Sequence, residues 1–178
     1  MKKWVVAILT CALLLSGCSS KVTLLKQTFT IELGNDVYAN PRLYIENPDN
    51  YDLDEMKISV KTGGIYKKDN RFVTGGMDYL VAGEYDFVLE YGSQSIDFKI
   101  KIKDTQPPTV TRAVSEITVA QYTIVNWYDY FSASDISGVS FSTSPLLDTS
   151  NTGDYTVLLK ISDRFGNADE REVVVHVS

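Results

Sequence analysis

The chain has 178 residues, 44% of them hydrophobic, with 17 basic against 23 acidic side chains and a formal charge of −6. This length suits one domain or two small ones, and the acidic balance argues against nucleic acid and against electrostatic adhesion to anionic lipid. With one histidine (His176), two cysteines and no glycine-rich phosphate loop, the chain offers little for a Ser-His-Asp, Cys-His or zinc site, and no enzyme and no cofactor is expected.

The chain opens on Met1-Lys2-Lys3, and an apolar run from Trp4 to Leu15 is broken only by Thr10. A charged start and a short apolar run have the proportions of a signal peptide, too short to span a bilayer comfortably. Leu15-Ser16-Gly17-Cys18 then resembles the lipobox of bacterial lipoproteins. The resemblance implies that residues 1–17 are removed and that the Cys18 sulfur carries a diacylglyceryl group. It also implies a lipid anchor of palmitate type, on the extracytoplasmic side of a membrane of the cell envelope. Two or more acyl chains hold a protein stably where one does not. On this reading Cys11 is lost and the Cys18 sulfur is occupied, so no disulfide is expected. Residues 18–27 are expected to form a lipidated tether reaching roughly 35 Å at about 3.5 Å per residue.

From residue 28 onward the pattern is one of strands. Met56, Ile58 and Val60 alternate with Lys57, Ser59 and Lys61. The basic cluster Tyr66–Arg71 reads as a solvated loop tip. Tyr85, Phe87, Leu89 and Tyr91 share one face, as do Ile96, Phe98, Ile100 and Ile102, and Gly92-Ser93 joins the two runs as a hairpin. Asp104 to Pro108 marks a boundary, because Pro107 and Pro108 fix φ and cannot donate to a ladder. Beyond it, Tyr155, Val157, Leu159 and Ile161 face one way, and Val173, Val175 and Val177 line one side of a last strand. Gly166 and Asn167 are expected to take positive φ in the turn between them. Charge is uneven: residues 21–103 carry a net −2 and residues 104–178 a net −6.

The two halves repeat one another. At an offset of 86, Ile31 falls on Ile117, Asn40 on Asn126, Tyr44 on Tyr130 and Ile45 on Phe131. At an offset of 70, Gly83 falls on Gly153 and Tyr85 on Tyr155, so a loop between the matched ends differs in length. A glycine two residues before a tyrosine, at the head of a penultimate strand, resembles the tyrosine corner of immunoglobulin-like folds. The expectation is therefore all-β: two tandem immunoglobulin-like sandwiches, a divergent one over 28–103 and a second over 104–178.

Four blocks carry a closer resemblance: Asp104-Thr105-Gln106-Pro107-Pro108, Phe131 to Gly138, Gly153-Asp154-Tyr155-Thr156-Val157, and Asp163 to Asn167. In this order they resemble the Ig-like repeat of bacterial surface proteins, also found in a pesticidal crystal protein. Residues 28–103 keep Gly83 and Tyr85 but lack the acidic middle block and the last turn.

Asp104, Asp135 and Asp163 are weak calcium candidates, since hard cations take several carboxylate oxygens. Asp135 and Asp163 each precede a glycine-containing turn, so turn formation is the preferred reading, with no metal assigned and no large calcium effect expected. Trp127, Tyr128 and Tyr130 are candidate ligand contacts, set against a core role for the same rings, and a bend is expected because strict alternation would bury Asp129. The functional expectation is a membrane-anchored surface lipoprotein acting as a spacer, adhesion or binding module. Its partners would be the membrane, through the lipid on Cys18, and an unknown protein or polysaccharide, with no nucleic acid. The alternative is a polysaccharide- or cell-wall-binding accessory module using exposed aromatic residues.

Overall fold

The structure is a computed structural model describing residues 21–178. Cys18, the lipobox and the expected cleavage point lie outside the described residues. The described chain is all-β. Its first half contains β1 (Thr28–Glu32), β2 (Val37–Tyr38), β3 (Lys57–Val60), β4 (Ile65–Lys68), β5 (Arg71–Thr74), β6 (Gly83–Tyr91) and β7 (Gln94–Lys103). One sheet runs β1-β7-β6-β3 and the facing one β2-β5-β4. The second half contains β8 (Thr109–Arg112), β9 (Glu116–Val119), β10 (Ser132–Ser134), β11 (Ser140–Ser144), β12 (Gly153–Ser162) and β13 (Ala168–Val177). Its sheets run β11-β12-β13-β9 and β10-β8. These are two immunoglobulin-like sandwiches in series.

The alternating residues point inward as their period requires. Tyr85, Phe87, Leu89, Phe98, Ile100 and Ile102 are buried in the first core, and Val157, Leu159, Ile161, Val173, Val175 and Val177 in the second. The buried members of the two cores come from separate stretches of chain, Val22 to Ile102 and Ile117 to Val177. The first core is aromatic. Phe87 stacks on Phe98 at 5.5 Å between centroids and meets Phe72 edge-on at 5.0 Å. Tyr44 lies there too, donating to the Tyr38 carbonyl at 2.7 Å, and burial pushes its phenol up to about 12. On the outer face of β6 and β7, Asp86 opposes Lys99 and Glu84 opposes Lys101, and both pairs form salt bridges. Exposed pairs of this kind set register more than they add stability.

The shift between the two repeat offsets has a structural cause. Residues 61–82 of the first sandwich contain the β4–β5 hairpin, whereas a short loop over 145–152 stands in its place in the second. The basic cluster Tyr66–Arg71 forms the tip of that hairpin, turning at Asp69 with φ +55°. Two of its cations are paired, Lys68 with Asp78 at 2.6 Å and Arg71 with Asp36 at 2.5 Å.

Both tyrosine corners form. Tyr85 donates to the Val81 carbonyl at 2.7 Å and Tyr155 to the Asn151 carbonyl at 3.0 Å. Gly153 holds φ +145° under the Tyr155 ring. Tyr155→Phe removes one hydrogen bond and keeps the packing, so it is expected to cost about 1 kcal/mol in a urea melt. A change below about 0.3 kcal/mol would mean that the hydroxyl contributes nothing beyond its bond to water.

Two expectations need correction. Residues 21–27 are not part of a free tether. Val22 and Leu24 are buried in the first core, Leu24 bridges Ile45, and the Val22 amide donates to the Gln94 side chain at 3.0 Å. Two apolar residues spaced by two gain more from burial than the segment gains from freedom. In the last turn only Gly166 takes positive φ, +92°. Asn167 serves through its side chain instead.

Candidate metal centre

Three strand ends meet where the second sandwich joins the first. Asp104 follows β7, Asp135 follows β10 and Asp163 follows β12. Each is the first residue after its strand, and the sandwich topology brings all three to one end. One carboxylate oxygen from each lies within 4.8 Å of the other two. Asp163 is 6% exposed.

The turn roles expected of two of these residues are present. The Ser137 amide and hydroxyl donate to Asp135 Oδ1 at 2.7 and 2.8 Å. Asp163 Oδ1 accepts from the Phe165 and Asn167 amides at 2.8 and 2.9 Å, and its Oδ2 accepts from Asn167 Nδ2 at 2.6 Å. Burial would raise the Asp163 pKa, but the bonds from Asn167, Phe165 and Gly166 hold it below the ordinary carboxylate value.

Asp104 differs. Its carbonyl accepts from Asn167 Nδ2 at 3.2 Å, but its Oδ2 is buried and has no hydrogen-bond partner among the described residues. Among the described residues, no Lys, Arg or His forms an ion pair with any of the three. The linker is also tied to the first sandwich: the Thr105 amide and hydroxyl donate to the two Glu32 carboxylate oxygens at 2.7 and 2.8 Å.

The aromatic candidates divide. Trp127 begins a 3₁₀ turn over Trp127–Asp129, which supplies the expected bend and leaves Asp129 exposed. Phe131 is buried, while Trp127 and Tyr130 pack half-buried against the second core. Tyr128 is 56% exposed, sets its ring edge-on to Phe141 at 4.8 Å and donates to the Val139 carbonyl at 2.8 Å. The large apolar residues most open to solvent lie elsewhere among the described residues: Tyr122 at 74%, Ile124 at 96% and Leu146 at 86%. Ile124 and Leu146 border a groove of about 300 Å³ with Trp127 on its wall. These loops follow β9 and β11, where no alternation signals which way a side chain points.

His176 lies in β13, flanked by β12 and β9, and is held there rather than carried on a mobile end. Its Nδ1 is 2.7 Å from Asp154 Oδ1 and its Nε2 is 3.8 Å from Glu116 Oε2. The Asp154 hydrogen bond raises its pKa above the usual histidine value. Two carboxylates against one imidazole form a surface ion cluster, and neither is a nucleophile that His176 could activate.

No family model and no curated protein matches the chain. Among solved structures, it resembles the two-domain EC1-2 fragment of human mucin-like protocadherin at 12% identity and a TM-score of 0.30, covering 89% of this chain and 98% of that one. It also resembles the sidekick-1 immunoglobulin domains 1–4 at 10% identity and a TM-score of 0.37, covering 88% and 48%. A third likeness is to an endo-fucoidan hydrolase of glycoside hydrolase family 107, at 12% identity and a TM-score of 0.28, covering 88% and 28%. The likeness is confined to how β-strands are arranged.

Proposed function

We infer that this chain is an envelope lipoprotein, held at a membrane through Cys18, in which two sandwiches act as a non-enzymatic spacer and binding or adhesion module. The observation that carries this reading is the placement of the two ends. Val22 lies beside Gln94 at the start of β7, and β7 runs from there to the junction. β13 runs from the junction to Val177, and Tyr122, Ile124 and Leu146 follow strands that end on that far side. A tether at one end and exposed apolar side chains at the other suit a module that presents a surface away from its anchor. A glycan- or cell-wall-binding variant of this reading is favoured by Trp127 on the groove wall and Tyr122 beside it.

Cys18→Ala tests the anchor. The wild type is expected to take up a palmitate analogue in growing cells and to fractionate with membranes. The variant is expected to lose the label and to appear in the medium or as uncleaved precursor. Equal labelling of the two would remove the lipoprotein reading.

A further inference from the structure

We propose that Asp104, Asp135 and Asp163 bind one divalent cation of the calcium class, and that this cation fixes the start of the inter-domain linker to the second sandwich. The proposal goes beyond the reading above and does not depend on a lipid at Cys18.

Spacing is the first argument. Calcium sits about 2.3–2.6 Å from its oxygen ligands, so two oxygens on opposite sides of it are about 5 Å apart. One oxygen from each of the three aspartates lies within 4.8 Å of the others, so all three can touch one ion. Magnesium holds its ligands at about 2.0–2.1 Å in a strict octahedron and keeps several waters, which suits a three-carboxylate protein site less well.

Charge is the second argument. Three carboxylates this close repel one another, and an ionised oxygen removed from water is unfavourable unless something compensates it. Asp104 Oδ2 is removed from water and has no donor. Among the described residues no basic side chain forms an ion pair with any of the three, so no such pair supplies the counter-charge that a divalent cation would bring.

Turn formation and metal binding do not compete here. Both bonds to Asp135 go to Oδ1, and an ionised carboxylate has about four acceptor positions. The turn bonds hold Asp135 and Asp163 in place before an ion arrives, which lowers the ordering cost of binding. The expectation of no large calcium effect treats the three residues as separate turn formers, whereas the fold brings them together. Asp104 follows the last strand of the first sandwich directly, so a cation binding it together with two turns of the second would restrain the joint.

The test uses the full chain, purified in detergent and treated with chelator. In about 10 mM calcium the melting temperature of the second sandwich is expected to rise by about 5–15 °C, given an affinity in the range of extracellular calcium modules. Equilibrium dialysis with calcium is expected to give one ion per chain, and magnesium at equal concentration a clearly smaller thermal shift. Asp104→Asn is the decisive variant. It removes the charge of an oxygen that accepts no hydrogen bond, so in chelator it is expected to melt no lower than the wild type, and in calcium to lose most of the shift. Asp135→Asn, read by dialysis, gives a second route should Asp104→Asn fail to fold, and is expected to lose the bound ion. No bound calcium in the wild type, or a full thermal shift retained by Asp104→Asn, would overturn the proposal. An equal shift in magnesium would overturn the choice of calcium.

Discussion

Phe87→Ala is expected to destabilise the first sandwich by about 3–5 kcal/mol while leaving the second close to its wild-type midpoint. Phe87 has no exposed surface and touches both Phe72 and Phe98. Truncation leaves a cavity between two rings that cannot both close over it. Whole domains are stable by only about 5–15 kcal/mol, so the loss takes a large share of what the first sandwich has. The second is spared because its buried core draws on different residues. The two can be told apart optically. The chain has two tryptophans, Trp4 in the expected signal peptide and Trp127 in the second sandwich. Once residues 1–17 are removed, tryptophan fluorescence reports the second sandwich alone and far-UV circular dichroism reports both. A urea melt of Phe87→Ala should show an early dichroism transition with an unmoved fluorescence midpoint. If both move together, the two sandwiches unfold as one cooperative unit.

Asp163→Ala is expected to cost the second sandwich about 2–4 kcal/mol when measured in chelator. The carboxylate is buried and organises the β12–β13 turn by accepting from two amides and from the Asn167 side chain. Alanine leaves those donors without their charged acceptor and frees Asn167, which also holds the Asp104 carbonyl. Trp127 fluorescence in urea measures the loss, and a change below about 0.5 kcal/mol would show that water replaces the carboxylate without penalty. The contrast with Asp104→Asn is informative, since two members of one carboxylate cluster should respond oppositely without metal. One supports a turn, and the other carries an uncompensated charge.

Strands with a clean period of two were legible in the sequence. The pairs β6–β7 and β12–β13, both tyrosine corners and the halt of the strand before Pro107 follow from residues that speak locally. The shifted repeat offset pointed to a loop of different length, and the β4–β5 hairpin is that loop. Other features depend on distant partners. The 3₁₀ turn at Trp127 has no signature beyond the impossibility of burying Asp129. The docking of Val22 and Leu24 requires Ile45 and Gln94, far along the chain. The aspartate cluster was legible as residues but not as a group. Each aspartate reads as a turn former, and only the sandwich topology shows that the linker, the turn after β10 and the turn after β12 share one end.

In the first sandwich the first and last strands, β1 and β7, lie side by side and parallel, and in the second the last strand, β13, runs parallel beside β9, the strand after β8. This arrangement matters for a module under mechanical load. A pull between an anchor ahead of β1 and a load beyond β7 draws those two strands past one another in opposite directions. The five residue pairs from Thr28–Lys99 to Glu32–Lys103 then share the force at once, instead of opening one by one as in a hairpin peeled from its end. The second sandwich repeats the geometry between Glu116–Val174 and Val119–Val177. Tension that reaches these two parallel ladders, β1–β7 and β9–β13, therefore loads them in shear, the direction in which a β-ladder resists rupture most strongly.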